Sequence, residues 1–190
     1  MKYLVGILLA ALGGCATSQE PAGPPAYVAE AALPDGWPAP GPYNEVSEKS
    51  YPAYRAAFTT GKGQTTAFWR LFMHIKKNDI PMTAPVEMGM EPKDGSMERS
   101  GMGFLYKNPQ VGAVGATGEN LEVRDVAAAK VLGYTWQGPD SEANLTTAKT
   151  ALEAALRAKK NTPKGYRLLG YNGPGTPKAK GTWELQALLE

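Results

Sequence analysis

The stretch Ile80-Pro81-Met82-Thr83-Ala84-Pro85-Val86 decides how this chain is read. Two prolines so close together cannot continue a helix, and each lacks a backbone donor. The residue before each is pushed toward extended geometry. The segment therefore predicts a helix that stops just upstream and a strand that opens here, over Pro81–Glu91. Upstream, Phe68, Leu71, Phe72 and Ile75 recur at i, i+3, i+4 and i+7, the core-facing stripe of a helix. Thr65 or Thr66 is the expected cap and Asn78 the expected end. Lys76 and Lys77 sit favourably at the negative end of its dipole.

Outward from that helix, Asn44–Thr59 alternates loosely and is broken by Pro52, so it predicts two strand pieces. Gly61-Lys62-Gly63 is a turn. After the Pro81–Glu91 strand come a Pro92-Lys93-Asp94-Gly95 turn, a strand from about Gly101 to Lys107, and a glycine-rich loop over Gly112–Gly118 that reads as mobile. The pattern then restarts. Leu121–Trp136 echoes Asn44–Thr59, with Glu-Val near the start of both. Leu145, Ala148, Leu152 and Leu156 form a second helical stripe. Strands near Tyr166–Tyr171 and Thr182–Leu188 follow, joined by the turn-rich Asn172–Pro177. A duplicated strand-helix-strand-strand order weighs more on the fold than any single motif. It predicts an α+β domain, a curved antiparallel sheet or distorted barrel carrying two helices.

The first residues read as an export signal. Lys2 precedes the apolar run Tyr3–Leu12, and Gly13-Gly14 precede Cys15. That run is too short to span a bilayer permanently. Leu12-Gly13-Gly14-Cys15 resembles a bacterial lipobox, which implies cleavage before Cys15, lipidation of its sulfur and acylation of the new amino group. Two or more acyl chains make a firm anchor. Cys15 is the single cysteine, so the fold stands without disulfides. Ala16 follows it, and the resemblance then points to the outer membrane, facing the periplasm. The expected organisation is a lipoprotein signal over 1–14, a lipidated Cys15 with a Pro-, Ala- and Gly-rich tether over 15–42, and one globular domain over 43–190. Removing Lys2 with the leader lowers the net charge from +2 to +1. No concentrated basic stretch points to nucleic acid.

Catalysis has little support in these residues. There is one histidine, and Cys15 is expected to be lipidated, so no Ser-His-Asp or Cys-His arrangement is available. No metal site of several His or Cys ligands can be assembled. Gly61-x-Gly63 lacks the Lys-Ser/Thr of a phosphate loop.

Phe68-x-x-Leu71-x-x-His74-Ile75, then Asn78, then Ile80-Pro81-Met82-Thr83-Ala84-Pro85-Val86, resembles the SOUL heme-binding family. Gly170-Tyr171-Asn172-x-Pro174-x-x-Pro177, ahead of a Trp-containing last strand, agrees. The likeness spans roughly Tyr43 to Leu189. It implies a barrel-like α+β fold and binding of heme or another tetrapyrrole, without catalysis, for scavenging, buffering or transfer. His74 stands where the family more often carries Tyr or another aromatic. As the sole imidazole it is the candidate axial ligand to heme iron; its other reading is a partly exposed surface histidine. Arg70 and Lys77 are candidates to meet propionates, or else a solvated helix face. Trp69 and Met73 are candidates to hold a flat apolar ligand, or else pack under the loop from Gly112. The rival functions are a binding module for another amphipathic small molecule and a structural or interaction lipoprotein with no ligand.

Overall fold

Pro52 splits the first extended segment as its missing donor requires, into β1 (Val46–Tyr51) and β2 (Tyr54–Thr59). The computed structural model describes residues 25–60, 64–94, 96–118 and 120–189. Met1–Cys15, which carry the expected leader and lipidation site, and the Gly61–Gly63 turn lie outside the described residues. After β2 come α1 (Gln64–Lys77), β3 (Val86–Lys93) and β4 (Ser96–Leu105). The chain continues through β5 (Gly115–Ala116), β6 (Leu121–Val126), β7 (Ala129–Gln137), α2 (Glu142–Lys159), β8 (Gly165–Gly170) and β9 (Thr182–Leu188). Among the described residues no helix is long and apolar enough to cross a membrane.

Among the described residues nine strands form one open sheet in the order β1-β7-β9-β8-β3-β4-β2-β6-β5, and every paired strand runs antiparallel to its neighbour. The expected α+β class is what forms, as an open sheet and not a closed barrel. The β8–β3 pair lies at the middle of the order, with four strands counted outward from β8 and five from β3. α1 packs mainly on β4 and β2, and α2 mainly on β7 and β9.

Several boundaries differ from the sequence reading. Helix α1 already begins at Gln64, so Thr65 and Thr66 lie within its first turn. The strand expected from Pro81 begins only at Val86. Pro81–Pro85 instead passes over the end of β4 before entering β3. Thr83 pairs with Ala32 in an isolated bridge, its hydroxyl donates to Leu105 O at 2.5 Å, and Ala84 N donates to Ala32 O at 3.0 Å. Within Gly112–Gly118, Gly115 and Ala116 pair with Val123 and Glu122.

The sheet buries both faces. Beneath the helices lie Leu71, Ile75, Met88, Phe104, Leu132, Leu152, Leu168 and Leu185. The opposite face is covered by the segment expected as a tether, which from residue 25 onward packs as a strap. Trp37 is its plug, edge-on to Tyr51 and Tyr54 at 4.7 and 5.2 Å. Its backbone is pinned by Asp35 N to Lys107 O and by Asn44 N to Thr135 O. Under the plug sits a charged network. Glu184, fully buried, accepts from Lys49, Tyr51, Thr135 and Gln186. Gly133 on the neighbouring strand leaves room for it, since a Cβ there would lie 2.7 Å from Glu184 Oε1. Arg167 donates to Gln186, Tyr54 and Glu87, with its guanidinium carbon 5.2–5.7 Å from the Trp37, Tyr51 and Tyr54 ring centroids.

Candidate functional site

Helix α1 separates two cavities. Its buried strip is Ala67, Leu71 and Ile75. At 100° per residue, Phe68 and Phe72 flank one side of that strip, and His74 lies roughly 120–160° away on the other. What Phe68 and Phe72 line, His74 does not reach.

On the phenylalanine side an apolar groove runs between α1, the β3 end and the β8–β9 connection. It consists of two adjoining cavities of about 250 and 270 Å³ that share Phe68, Val86, Gly170 and Asn172. Together they approach the size of pockets that hold drug-sized ligands. Phe72 and Met82 wall one end, Met88, Met102 and Trp183 the other. Phe68 and Phe72 lie nearly parallel, centroids 6.3 Å apart, and Phe68 meets Phe104 edge-on at 5.3 Å. Gly170 is needed where it stands, because a Cβ would come within 2.7 Å of the Trp183 ring. The polar rim is sparse and includes Lys178, Asn172, Asp140 and Glu30. Glu30 comes from the strap and holds the β8–β9 connection through Gly173 N at 2.8 Å and the Thr176 hydroxyl. Those two donors hold its carboxyl below the usual carboxylate range.

On the histidine side, a cavity of about 380 Å³ is bounded by His74, Asn78, Tyr106 and the Val111–Thr117 loop. His74 is buried, at 9 % exposure, and so is not the partly exposed surface histidine of its other reading. Its Nε2 is 2.7 Å from the Tyr106 hydroxyl, and its Nδ1 is 3.3 Å from Asn78 Nδ2 and 3.4 Å from the Thr117 hydroxyl. Both ring nitrogens are engaged. Burial lowers the His74 pKa and pushes that of Tyr106 up to about 12.

The other sequence candidates fall elsewhere. Arg70 and Lys77 are exposed on the outer face of α1. Trp69 and Met73, each 59 % exposed, also face outward, and it is His74 that lies under the loop from Gly112. The helix therefore does not bring the five candidates to one point. Sequence reasoning missed Val86, Gly170, Trp183 and Lys178 as groove residues. The available signal was the pair of quoted motifs themselves: Val86 ends the first, and Gly170 opens the second. Among the described residues no group of three or more His, Cys, Asp or Glu converges to hold a metal. No histidine lines the groove, whose soft donors are the thioethers of Met82, Met88 and Met102.

Residues 42–182 match the family described as SOUL heme-binding protein. No curated protein matches the chain. Among solved structures, an uncharacterized conserved protein from Listeria innocua superposes with a TM-score of 0.59 at 12% identity, over 78% of this chain and 94% of its own. EcmrR in its DNA complex gives 0.58 at 12% identity, over 77% of this chain and 57% of its own, so this chain spans little more than half of that protein. The isolated EcmrR C-terminal domain gives 0.54 at 14% identity, over 77% and 97%. At these identities the likeness is one of fold.

Proposed function

The chain belongs to the SOUL heme-binding protein family, and on that premise we propose that it binds heme or a related tetrapyrrole in the groove beside Phe68 and Phe72, without acting on it. The observation that carries this reading is the groove's makeup: a slot walled by Phe68, Phe72, Val86 and Trp183 with few charges at its rim. Flat apolar rings bind by such area. Lys178 at the rim suits a propionate by a charge-assisted bond. Iron, when present, would find thioethers here and not His74. We further read the two halves as a duplicated unit. From Met1–Cys15 we place the protein at the outer membrane facing the periplasm, held through acylated Cys15, as a scavenger, buffer or carrier of its ligand. Mass spectrometry of the exported protein checks the acylation.

The decisive experiment is a visible-absorption titration of hemin into the full chain, with Val86→Trp and His74→Ala beside it. A saturable one-to-one Soret shift is expected, weakened about tenfold or more by Val86→Trp, which fills the slot, and kept by His74→Ala. Loss in His74→Ala with Val86→Trp unaffected would move the ring to the histidine cavity. No saturable shift in any protein would refute heme binding and favour another amphipathic ligand or a ligand-free interaction role.

A further inference from the structure

The outer face of α1 has a composition that core packing does not explain. Of the five large apolar side chains exposed among the described residues, Trp69, Met73 and Met82 lie on this helix or in the turn after it. Scattered exposed hydrophobics need no account, but these are continuous with the groove. Trp69 meets Phe68 at 5.7 Å and Phe72 at 5.8 Å, so one run of rings leads from the slot to the surface. Around it stand Arg70, Lys76 and Lys77, all exposed, on a helix that has no acidic residue from Gln64 to Lys77. None of the three enters a salt bridge among the described residues.

We propose that this face docks on an anionic lipid surface, with Trp69 and Met73 entering the headgroup region and Arg70, Lys76 and Lys77 held by lipid phosphates. Tryptophan favours the membrane interface, and basic residues beside it are drawn to anionic leaflets. A protein partner fits less well, since lysine is depleted at protein interfaces. Docked this way, the groove end at Phe72 and Met82 opens toward the bilayer, and an apolar ligand passes between them without crossing water. That consequence rests on the ligand reading above; the docking does not.

The test uses the exported full chain and vesicles with brominated acyl chains, either phosphatidylglycerol-rich or phosphatidylcholine alone, with no porphyrin present. Trp37 and Trp136 are buried and Trp183 half-buried, so emission quenched by the lipid reports on Trp69. Quenching is expected in the anionic vesicles, disappearing in Trp69→Phe. The Cys15 anchor proposed above holds every variant to the vesicle, so the readout is quenching itself, expected to fall on the order of tenfold in Lys76→Glu/Lys77→Glu and in about 0.5 M salt. No quenching by anionic vesicles, or quenching that survives Trp69→Phe, or quenching indifferent to the charge reversals would each overturn the proposal. So would burial of Trp69 in a dimer in place of the membrane. Because no tetrapyrrole takes part, the outcome is independent of the hemin titration.

Discussion

Replacing Glu184 with Gln keeps the shape of the side chain and tests whether the buried charged network stabilises the sheet. The carboxylate takes four donors: Lys49 Nζ at 2.6 Å and the Thr135 hydroxyl at 3.0 Å on one oxygen, the Tyr51 hydroxyl at 2.8 Å and Gln186 Nε2 at 2.6 Å on the other. An amide has one acceptor oxygen, so two donors must face an NH₂. A hydroxyl can rotate and accept from it; an ammonium or a second amide NH₂ cannot. Either orientation strands a donor, and the Lys49 side chain, only 9% exposed, loses its carboxylate. Stranding a buried donor costs about 1–3 kcal/mol, and breaking a buried ion pair about 3–5 kcal/mol. We expect Glu184→Gln to lose about 3–5 kcal/mol, a fall in Tm of roughly 6–20 °C for a domain of this size. Urea unfolding of wild type, Glu184→Gln, Lys49→Met and the double variant measures it. The double variant is expected to lose at least about 1 kcal/mol less than the sum of the singles. A cost below about 1 kcal/mol for Glu184→Gln, or strictly additive losses, would refute the argument.

Three further outcomes follow from the structure. His74 has its pKa lowered in the fold, so its contribution is complete above the unfolded value of 6.5 and is lost as pH falls through the lower folded value; His74→Gln should flatten the fall of Tm between about pH 7 and 5. Leu152, fully buried on α2, should cost about 2–5 kcal/mol as Leu152→Ala by urea denaturation, with hemin binding kept because Leu152 lines neither groove cavity. Trp37→Ala should cost about 3–5 kcal/mol and speed hydrogen exchange at the strap amides that bond to Lys107 and Thr135.

What the sequence disclosed was local. The stripe Phe68, Leu71, Phe72, Ile75 marks a real helix, yet only Leu71 and Ile75 are fully packed; the two phenylalanines are half-buried because they wall the groove. Periodicity finds a face but not how the neighbouring layer ends. Pro52 divides β1 from β2 because a missing donor acts within its own strand, as expected. The network around Glu184 was invisible, since Lys49 and Tyr51 lie 135 and 133 residues away and their meeting depends on sheet order. The burial of His74 was hidden for the same reason: Tyr106 and Thr117, which enclose it, arrive from 32 and 43 residues downstream. The strap was hardest to see. A Pro- and Ala-rich composition reads as a tether, and the aromatic socket that receives Trp37 is built from strands distant in sequence.

The location of the groove follows from the widths of the two layers. Nine strands at about 4.8 Å spacing make a sheet roughly 38 Å across, while two helices of about 10 Å diameter cover about half of that. α1 settles on β4 and β2 and α2 on β7 and β9, with α2 also reaching β4, so that the end of the β8–β3 pair at Val86 and Gly170 lies beneath the space between them. Val86 and Met88 from β3 and Gly170 from β8 form the floor of that space, with Phe68 of α1 on one side and Pro139 and Asp140, just ahead of α2, on the other. The slot thus arises from the architecture itself, and side chains decide only what it accepts. On the opposite face of the sheet the strap, Trp37 and the Arg167–Glu184 network pack instead. Glu30 ties the two faces together: it belongs to the strap, yet it fixes the Gly173–Thr176 turn that walls the groove. Loosening the strap therefore reaches the groove through that carboxylate, even though Trp37 lies on the far side of the sheet.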